Sequence, residues 1–517
     1  MNVRPAIVVT GASGFIGRHF IQQFKDDFFI YAFARRSQHA VGIPEHPNIH
    51  WMRLDIRDEI KVERTMNEIA ARGGARFILH LAGYYDFSNR DKPEYVQTNV
   101  NGTRHILRHA EKLGIERFIF TSSLTVTRFE NNHGTIDENS PADATFPYAV
   151  SKRRCEQIIK EYSQKFPCAV LRLAAIFSDW CEYGPLYMFL MTWLSRRWNA
   201  RIIAGKGETG IPYLHVNNLN SFILQVMRKS KQLPRYGLYI ASPDGCTTHN
   251  ELYHQTMRYV FGQRIKPIHL PKTVAALGLV LRDVSGRLIG RRPFERPWML
   301  RYVDKQLNVD ASFSRKTLEW LPSPRFNIKR RLLFLIENMK TNPLEWKRKN
   351  QEAIYKTGLE DPNLLILEAM LEKENEIIER IVSLLGAESF KNSFHSYKQL
   401  PSEEFRRRVE YIYEILKRTV RSGDRLHSLT YARELAMERI RENFDVDEVL
   451  LAVHVVGTTV TEVLTQQPQL KHLKERVRDE IMLAIQLIAD EVADVYERIT
   501  GFRINGNGAI TNGLKTD

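Results

Sequence analysis

Cysteine is scarce: four residues in a chain of 517, Cys155, Cys168, Cys181 and Cys246, with no C-x-x-C pair. That scatter argues against a disulfide framework and a thiolate metal site, and for a reducing, cytoplasmic setting. Long apolar runs are missing too. The longest candidate, 274–281, is far shorter than the ~20 residues of a membrane-spanning helix, so a spanning protein is not expected. Residues 6–9 already read as a strand, so no signal peptide is expected. No Lys/Arg tail accompanies the formal charge of +15. The cations are spread, with small clusters at Arg196-Arg197, Arg291-Arg292, Lys329-Arg330-Arg331 and Lys347-Arg348-Lys349. Without a recognition motif, nucleic acid is not the expected partner. An anionic cofactor, substrate or membrane surface answers such a charge instead. At this length, two or three domains are expected.

What is present begins at residues 10–17. Residues 6–9 are an apolar run suited to a buried parallel strand, residues 18–24 have helical spacing, and Gly11, Gly14 and Gly17 lie between or at their junction. A strand, a glycine-rich turn and a helix open a dinucleotide-binding fold. Gly11 permits the tight turn, Gly14 lets backbone approach a pyrophosphate, and Gly17 lets the helix pack close to the strand. The helix N-terminus offers N–H groups and partial positive charge to phosphates. The spacing is G-x-x-G-x-x-G, and three glycines in a turn also arise for purely structural reasons, so the rest of the chain must carry the argument.

The second strand, 28–34, is followed by Arg35 and Arg36, where an acidic residue would bind ribose hydroxyls. Guanidinium groups there suit a 2′-phosphate, which favours NADP, with NAD the alternative. The other reading is a pair of solvated loop charges. The third strand ends in Asp55 and Ile56, a carboxylate and an aliphatic group that can hold an adenine edge and face. The fourth, 77–83, ends in Leu81, Ala82 and Gly83, small enough at its tip to leave room for a cofactor. A helix then carries Asn99, and a fifth strand leads into Thr121, Ser122 and Ser123. Pro147 opens a further helix on which Tyr148 and Lys152, at i and i+4, share a face. That spacing lets an ammonium sit near a phenol and lower its pKa.

These pieces in this order resemble the extended short-chain dehydrogenase/reductase family, in its NAD(P)-dependent epimerase/dehydratase and 3β-hydroxysteroid-dehydrogenase-like branch. The matching stretches are residues 10–17, Asp55-Ile56, 80–83, Asn99-Val100-x-Gly102-Thr103, Ser122-Ser123 and Tyr148-x-x-x-Lys152; Asp310-Ala311 and 318–322 look like the family's C-terminal region. The resemblance implies a Rossmann-like α/β fold, a doubly wound parallel sheet with a small substrate lobe. It implies Tyr148 as general acid/base, Lys152 lowering its pKa and holding a ribose, Ser123 bonding the reacting oxygen and Asn99 as a supporting polar group. Gly11, Ser13, Gly14, Phe15, Ile16, Gly17, Asp55, Ile56, Leu81, Ala82 and Gly83 would bind the cofactor with Tyr148 and Lys152. There are departures. The sixth strand, 170–178, lacks the proline and Tyr-Gly that usually follow Arg172, and Asn218 stands where the family usually has Asp.

Residues 179–340 are expected to form the substrate lobe. Tyr84, Tyr85, Phe87, Trp180, Tyr183, Tyr187, Met188 and Phe189 are either ordinary core aromatics or the lining of a pocket for a bulky, lipid-like substrate. Arg196, Arg197 and Arg201 could instead serve the diphosphate of a sugar nucleotide. The segment 270–303 mixes apolar residues with six arginines, Arg282, Arg287, Arg291, Arg292, Arg296 and Arg301. Such a segment can lie on an anionic membrane surface; packing on its own domain is the preferred expectation.

Residues 1–345 are therefore read as the catalytic domain and 346–362 as a linker. An all-α bundle is expected over 363–503, with helices at 363–385, 402–421, 426–443, 446–466 and 469–499, and a polar tail over 504–517. Asp445 and Glu448 have capping-box spacing. His454 on the apolar helix is read as a core histidine rather than a ligand. No metal site is expected. The region resembles the helical sensor domains of bacterial stressosome (RsbR-type) regulators, which implies a module for homo-oligomerisation or for a protein partner. An enzyme with a fused interaction domain is the leading reading. A cofactor-sensing regulator and a sugar-nucleotide epimerase or dehydratase are the alternatives.

Overall fold

The computed structural model describes residues 4–128, 134–195, 198–288, 293–357, 361–386 and 394–500. Arg196, Arg197, Arg291, Arg292 and the tail 504–517 lie outside these. The chain forms two compact units. The first is residues 1–339 with 346–359, and the second is 340–345 with 360–517.

The first unit is built on a seven-stranded sheet. Its order is Tyr236–Ala241, β6 (Cys168–Leu173), β5 (Arg117–Ser123), β4 (Phe77–His80), β1 (Ala6–Thr10), β2 (Phe29–Ala34) and β3 (Ile49–Arg53). Every neighbouring pair is parallel. Both faces are covered, so the central strands are apolar throughout and Ile7, Val8 and Val9 are all fully buried. Helices α1 (Phe15–Phe24), α2 (Glu59–Ala71), α3 (Gly102–Ala110) and α4 (Pro147–Tyr162) connect the strands. This is the doubly wound α/β fold expected from the sequence, and its strand order reverses beside β1, where such folds bind ligands.

The sixth strand does not run on to residue 178. It stops at Leu173, and Ala175–Phe177 pairs with Tyr213–His215 in a separate sheet. The Ala174 N–H bonds Ala241 O, whereas the Ala175 N–H turns to Pro212 O. The lobe that follows contains α5 (Gly184–Trp193), α6 (Val216–Arg228), α7 (His249–Phe261), α8 (Lys272–Leu288), α9 (Ser312–Leu318) and α10 (Ile328–Thr341). Tyr187 and Met188 are buried in the lobe, and Phe189 stacks on Trp193, so these three are core residues rather than pocket lining. Asn218 is explained by its partner: Oδ1 accepts from the Ser323 N–H and Nδ2 donates to the Ser323 carbonyl. An ionised aspartate could only accept.

Two expectations fail here. The segment read as a linker is helical, α11 (Pro343–Thr357), with Trp346 and Asn350 buried in the first unit. The amphipathic segment does not turn its apolar face inward. In α8 only Ala275, Asp283 and Gly286 are buried, while Val274, Leu277, Leu281, Val284 and Leu288 are exposed.

The second unit is helical: α12 (Pro362–Glu372), α13 (Glu374–Gly386), α14 (His395–Lys398), α15 (Ser402–Ser422), α16 (Leu426–Arg441), α17 (Val446–Thr465) and α18 (Lys474–Thr500). The expected first helix is two, parted at Lys373. Val449, Val453, Val456, Val460 and Leu464 of α17 face Val477, Ile481, Ala484, Ile488 and Val492 of α18 in one core. Gly457 makes the close approach possible, since a Cβ there would sit 2.6 Å from Ile485 Cγ1. Asp445 caps α17 through the Asp447 N–H, but Glu448 does not close the box. Its carboxylate accepts instead from the Ser396 and Tyr397 N–H groups. His454 is exposed, not a core histidine, because it points off the apolar stripe.

Candidate active site

The glycine turn between β1 and α1 is fixed by backbone contacts. Gly11 has φ +70°, and a Cβ there would meet Ala82 N at 2.7 Å. A Cβ at Gly17 would meet Gly11 O at 2.5 Å. Gly14 N–H donates to Gly11 O at 2.9 Å. Gly14 also occupies the N-cap of α1 without a side-chain cap, and the first turn holds no acidic residue. The first-turn N–H groups therefore keep their capacity for an anion.

Two guanidinium groups converge on Ser13 beside this turn. Arg18 Nη1 donates to the Ser13 carbonyl at 2.9 Å and Arg36 Nη2 at 2.5 Å. Arg35 is exposed. Burial and the charge of Arg18 hold the Arg36 pKa below its ordinary value. Arg18 is anchored in turn by Glu182 at 2.8 Å, which also accepts from His19 at 2.8 Å and Ser178 at 2.7 Å. Asp55 is engaged by Arg57 through Nε and Nη2, and that hydrogen bonding lowers its carboxyl pKa. Ile56 packs against Gly102, where a Cβ would come within 2.6 Å of Ile56 Cδ1. Phe15 and Ile16 pack on the core beneath the turn, Phe15 edge-on to His19.

At the ends of β4 and β5 the polar side chains meet. Lys152 is buried, and its Nζ donates to the Thr121 carbonyl at 2.8 Å. It lies 5.9 Å from the Tyr148 ring centre and 4.6 Å from that of Phe120. Gly83 borders it: an added Cβ would be 3.4 Å from Lys152 Nζ and 3.5 Å from Asn99 Oδ1. Asn99 stands in a π-helical turn, Tyr95–Asn101, a wide turn often found at functional sites. Its Oδ1 accepts from the Tyr84 N–H at 2.6 Å, while Nδ2 donates to Tyr84 O and Ser151 Oγ. This fixes the loop leaving β4. Leu81 and Ala82 are held to Thr10, the latter by the Thr10 hydroxyl at 3.2 Å. Ser123 ends β5 and shares a 2.8 Å hydrogen bond with Thr125.

The electrostatics differ from expectation in one respect. Burial pushes the Tyr148 phenol above its ordinary value and the Lys152 ammonium below its own. Lys152 does not depress the phenol here, because its Nζ is turned to the Thr121 carbonyl. Tyr148 is flanked by aromatic rings, Tyr85 at 4.5 Å and Phe146 at 6.5 Å. Tyr85 contacts Phe87 at 4.7 Å, and Phe87 contacts Phe294 at 4.8 Å. Of the aromatic candidates, Tyr85 thus borders the tyrosine, with Phe87 against Tyr85.

Sequence reasoning gave no role to Glu156, and placed His80 only within the matching stretch 80–83. Glu156 lies one further helical step along the Tyr148–Lys152 face, a spacing that could have flagged it. It is buried and accepts from Ser122 at 2.5 Å and from Arg172. His80 is fully buried between Thr10 at 2.7 Å and Thr103 at 3.0 Å.

Residues 7–240 match the NAD dependent epimerase/dehydratase family, and residues 375–500 match the RsbT co-antagonist protein rsbRD N-terminal domain. Among curated relatives, N-acetyl-alpha-D-glucosaminyl-diphospho-ditrans,octacis-undecaprenol 4-epimerase of Escherichia coli is 26% identical over 290 residues, 55% of this chain and 81% of the relative. A putative dihydroflavonol 4-reductase of Synechocystis is 25% identical, over 63% of this chain and 91% of its own. Of solved structures, dTDP-glucose 4,6-dehydratase from Bacillus anthracis in complex with NAD has TM-score 0.50 at 20% identity, covering 67% of this chain and 99% of its own. That likeness supports the fold. The first unit is thus similar to NAD-dependent epimerases and dehydratases, and the second to the rsbRD N-terminal domain.

Proposed function

We propose that this chain, an NAD-dependent epimerase/dehydratase-like enzyme by its first unit, transfers hydride at a hydroxyl or carbonyl of a sugar borne on a diphosphate with a bulky, lipid-like group, and prefers NADP(H). The observation that carries the reading is the cluster at the ends of β4 and β5. A Cβ at Gly83 would stand 3.4 Å from Lys152 Nζ and 3.5 Å from Asn99 Oδ1, and Lys152 Nζ lies 5.9 Å from the Tyr148 ring centre.

The residues fit a dinucleotide. The turn at Gly11 and Gly17 admits no side chain, and α1 begins without a side-chain cap. Gly11, Ser13, Gly14, Phe15, Ile16 and Gly17 would hold the pyrophosphate, Asp55 and Ile56 the adenine end, and Leu81, Ala82, Gly83 and Lys152 the other end. Bound nicotinamide supplies the hydride acceptor or donor. Tyr148 exchanges the proton of the substrate oxygen. Ser123 orients that oxygen. Asn99 keeps the β4 loop in register with them. The aromatic border of Tyr85 and Phe87, and a curated relative named for a polyprenyl-diphosphate sugar, support the bulky substrate.

The test is Tyr148→Phe, assayed on UDP-sugars and on a polyprenyl-diphosphate sugar. Turnover should fall by about 10²–10⁴-fold while dinucleotide affinity stays within about twofold. Unchanged turnover overturns the reading. The rsbRD-type domain favours a second reading, a regulator that senses the dinucleotide. A sensor would lack turnover and signal equally well with Tyr148→Phe.

A further inference from the structure

Helix α8 (Lys272–Leu288) turns its apolar side away from the protein. At 100° per residue, Val274, Leu277, Val280, Leu281, Val284 and Leu288 fall in one arc of about 120°. All six are exposed, with Leu277 63%, Leu281 60% and Leu288 85% accessible. The opposite side, Ala275, Asp283 and Gly286, is buried. A face of this kind on a soluble helix needs a partner.

Charge says which partner. Among the described residues of 261–303 there are seven cations, Arg264, Lys266, Lys272, Arg282, Arg287, Arg296 and Arg301, and two carboxylates. Both carboxylates are already answered. Asp283 is paired with Arg287 at 2.7 Å and Arg296 at 3.1 Å, and Glu295 faces Arg282 at 3.6 Å. The segment therefore combines an exposed leucine and valine face with a net positive charge. We infer that α8 is a membrane-surface helix that seats the enzyme on an anionic phospholipid leaflet. Such helices lie in the interface with the apolar face about 5–10 Å deep. Seventeen residues are too few to span, and the helix is not among those long and apolar enough to cross.

The segment after α8 reaches the candidate active site. Phe294 is buried against Phe87, which leads through Tyr85 to Tyr148. The chain that follows the proposed membrane helix is thus in ring contact with the aromatic border of Tyr148. Membrane binding does not depend on the proposed reaction and is tested apart from it.

The experiment is sedimentation of the full chain with vesicles of phosphatidylcholine and phosphatidylglycerol, and with phosphatidylcholine alone. The wild type should partition onto the anionic vesicles, less so in high salt, and weakly onto the neutral ones. Leu277→Glu combined with Leu281→Glu should lower that partitioning about tenfold or more, with dinucleotide binding retained as proof of folding. A wild type left in the supernatant with anionic vesicles overturns the inference. So does a double variant that still binds them. A double variant that dissociates a dimer without altering vesicle binding would assign the face to a second copy, and also overturns it.

Discussion

Glu156 receives Arg172 through two hydrogen bonds, Nε at 3.2 Å and Nη2 at 3.0 Å, with both side chains almost wholly buried. The pair joins α4 to β6, and the Ser122 hydroxyl bonds the same carboxylate. The helix that carries Tyr148 and Lys152 is thereby pinned to the strand end that carries Ser123.

Glu156→Gln leaves the Arg172 charge buried without its counterion. Loss of one partner of a buried pair costs about 3–5 kcal/mol. Denaturant unfolding of the full chain should show that loss in the transition of the first unit. Replacing both partners by apolar residues should recover much of it, and a single-variant loss below about 1 kcal/mol would contradict the account.

His80 gives a pH dependence with a defined sign. Burial, with the Lys152 charge, holds its pKa at about 3. Above pH ~6.5 it is neutral folded and unfolded, so it contributes no slope. Below that, the unfolded chain takes up a proton that the folded chain refuses, and stability falls as pH falls, by about 1.4 kcal/mol per pH unit down to about pH 3. His80→Asn should remove that share of the slope between pH 6.5 and 5. Equal slopes in the two proteins would show that His80 is protonated in the folded state.

Much of this was legible. The run 6–9 followed by Gly11, Gly14 and Gly17 announced a parallel α/β fold because only glycine meets the contacts found at Gly11 and Gly17. Tyr148 and Lys152 shared a face because the helix period requires it. The missed parts depend on distance in sequence. Glu156 on α4 needs Arg172 from β6, and Glu182 needs Arg18 and His19 from α1. The apolar stripe of α8 was visible as a pattern, but its exposure was not, because periodicity marks a face without telling what covers it. The helix at Pro343–Thr357 was read as a linker because its charge masked the two anchors, Trp346 and Asn350.

Glu182 links the turn to the lobe. Burial pushes its carboxyl up, but hydrogen bonds from His19 and Ser178 and the charge of Arg18 outweigh that and hold it below the ordinary range. Its backbone N–H donates to Asn350 Oδ1 at 3.0 Å. Glu182→Gln should cost about 2–4 kcal/mol and loosen Arg18 from Ser13. Dinucleotide affinity should fall several-fold as well. Retained affinity at reduced stability would show that the glycine turn keeps its shape without Arg18.

Arg36 tests the cofactor preference directly. Its Nη2 rests on the Ser13 carbonyl, so the guanidinium is already drawn to the turn. A 2′-phosphate there would gain a charge-assisted contact that a plain ribose cannot make. Arg35→Ala combined with Arg36→Ala should weaken NADPH about tenfold or more by fluorescence titration, at ~1.5–3 kcal/mol per charged hydrogen bond. NADH should weaken much less, because it carries no 2′-phosphate for the two arginines to contact. If NADH binds the unsubstituted protein more tightly than NADPH, the two arginines are surface charges and the enzyme is NAD-selective. The chemistry assigned to Tyr148 and Lys152 would stand in either case, since neither residue senses the 2′ position.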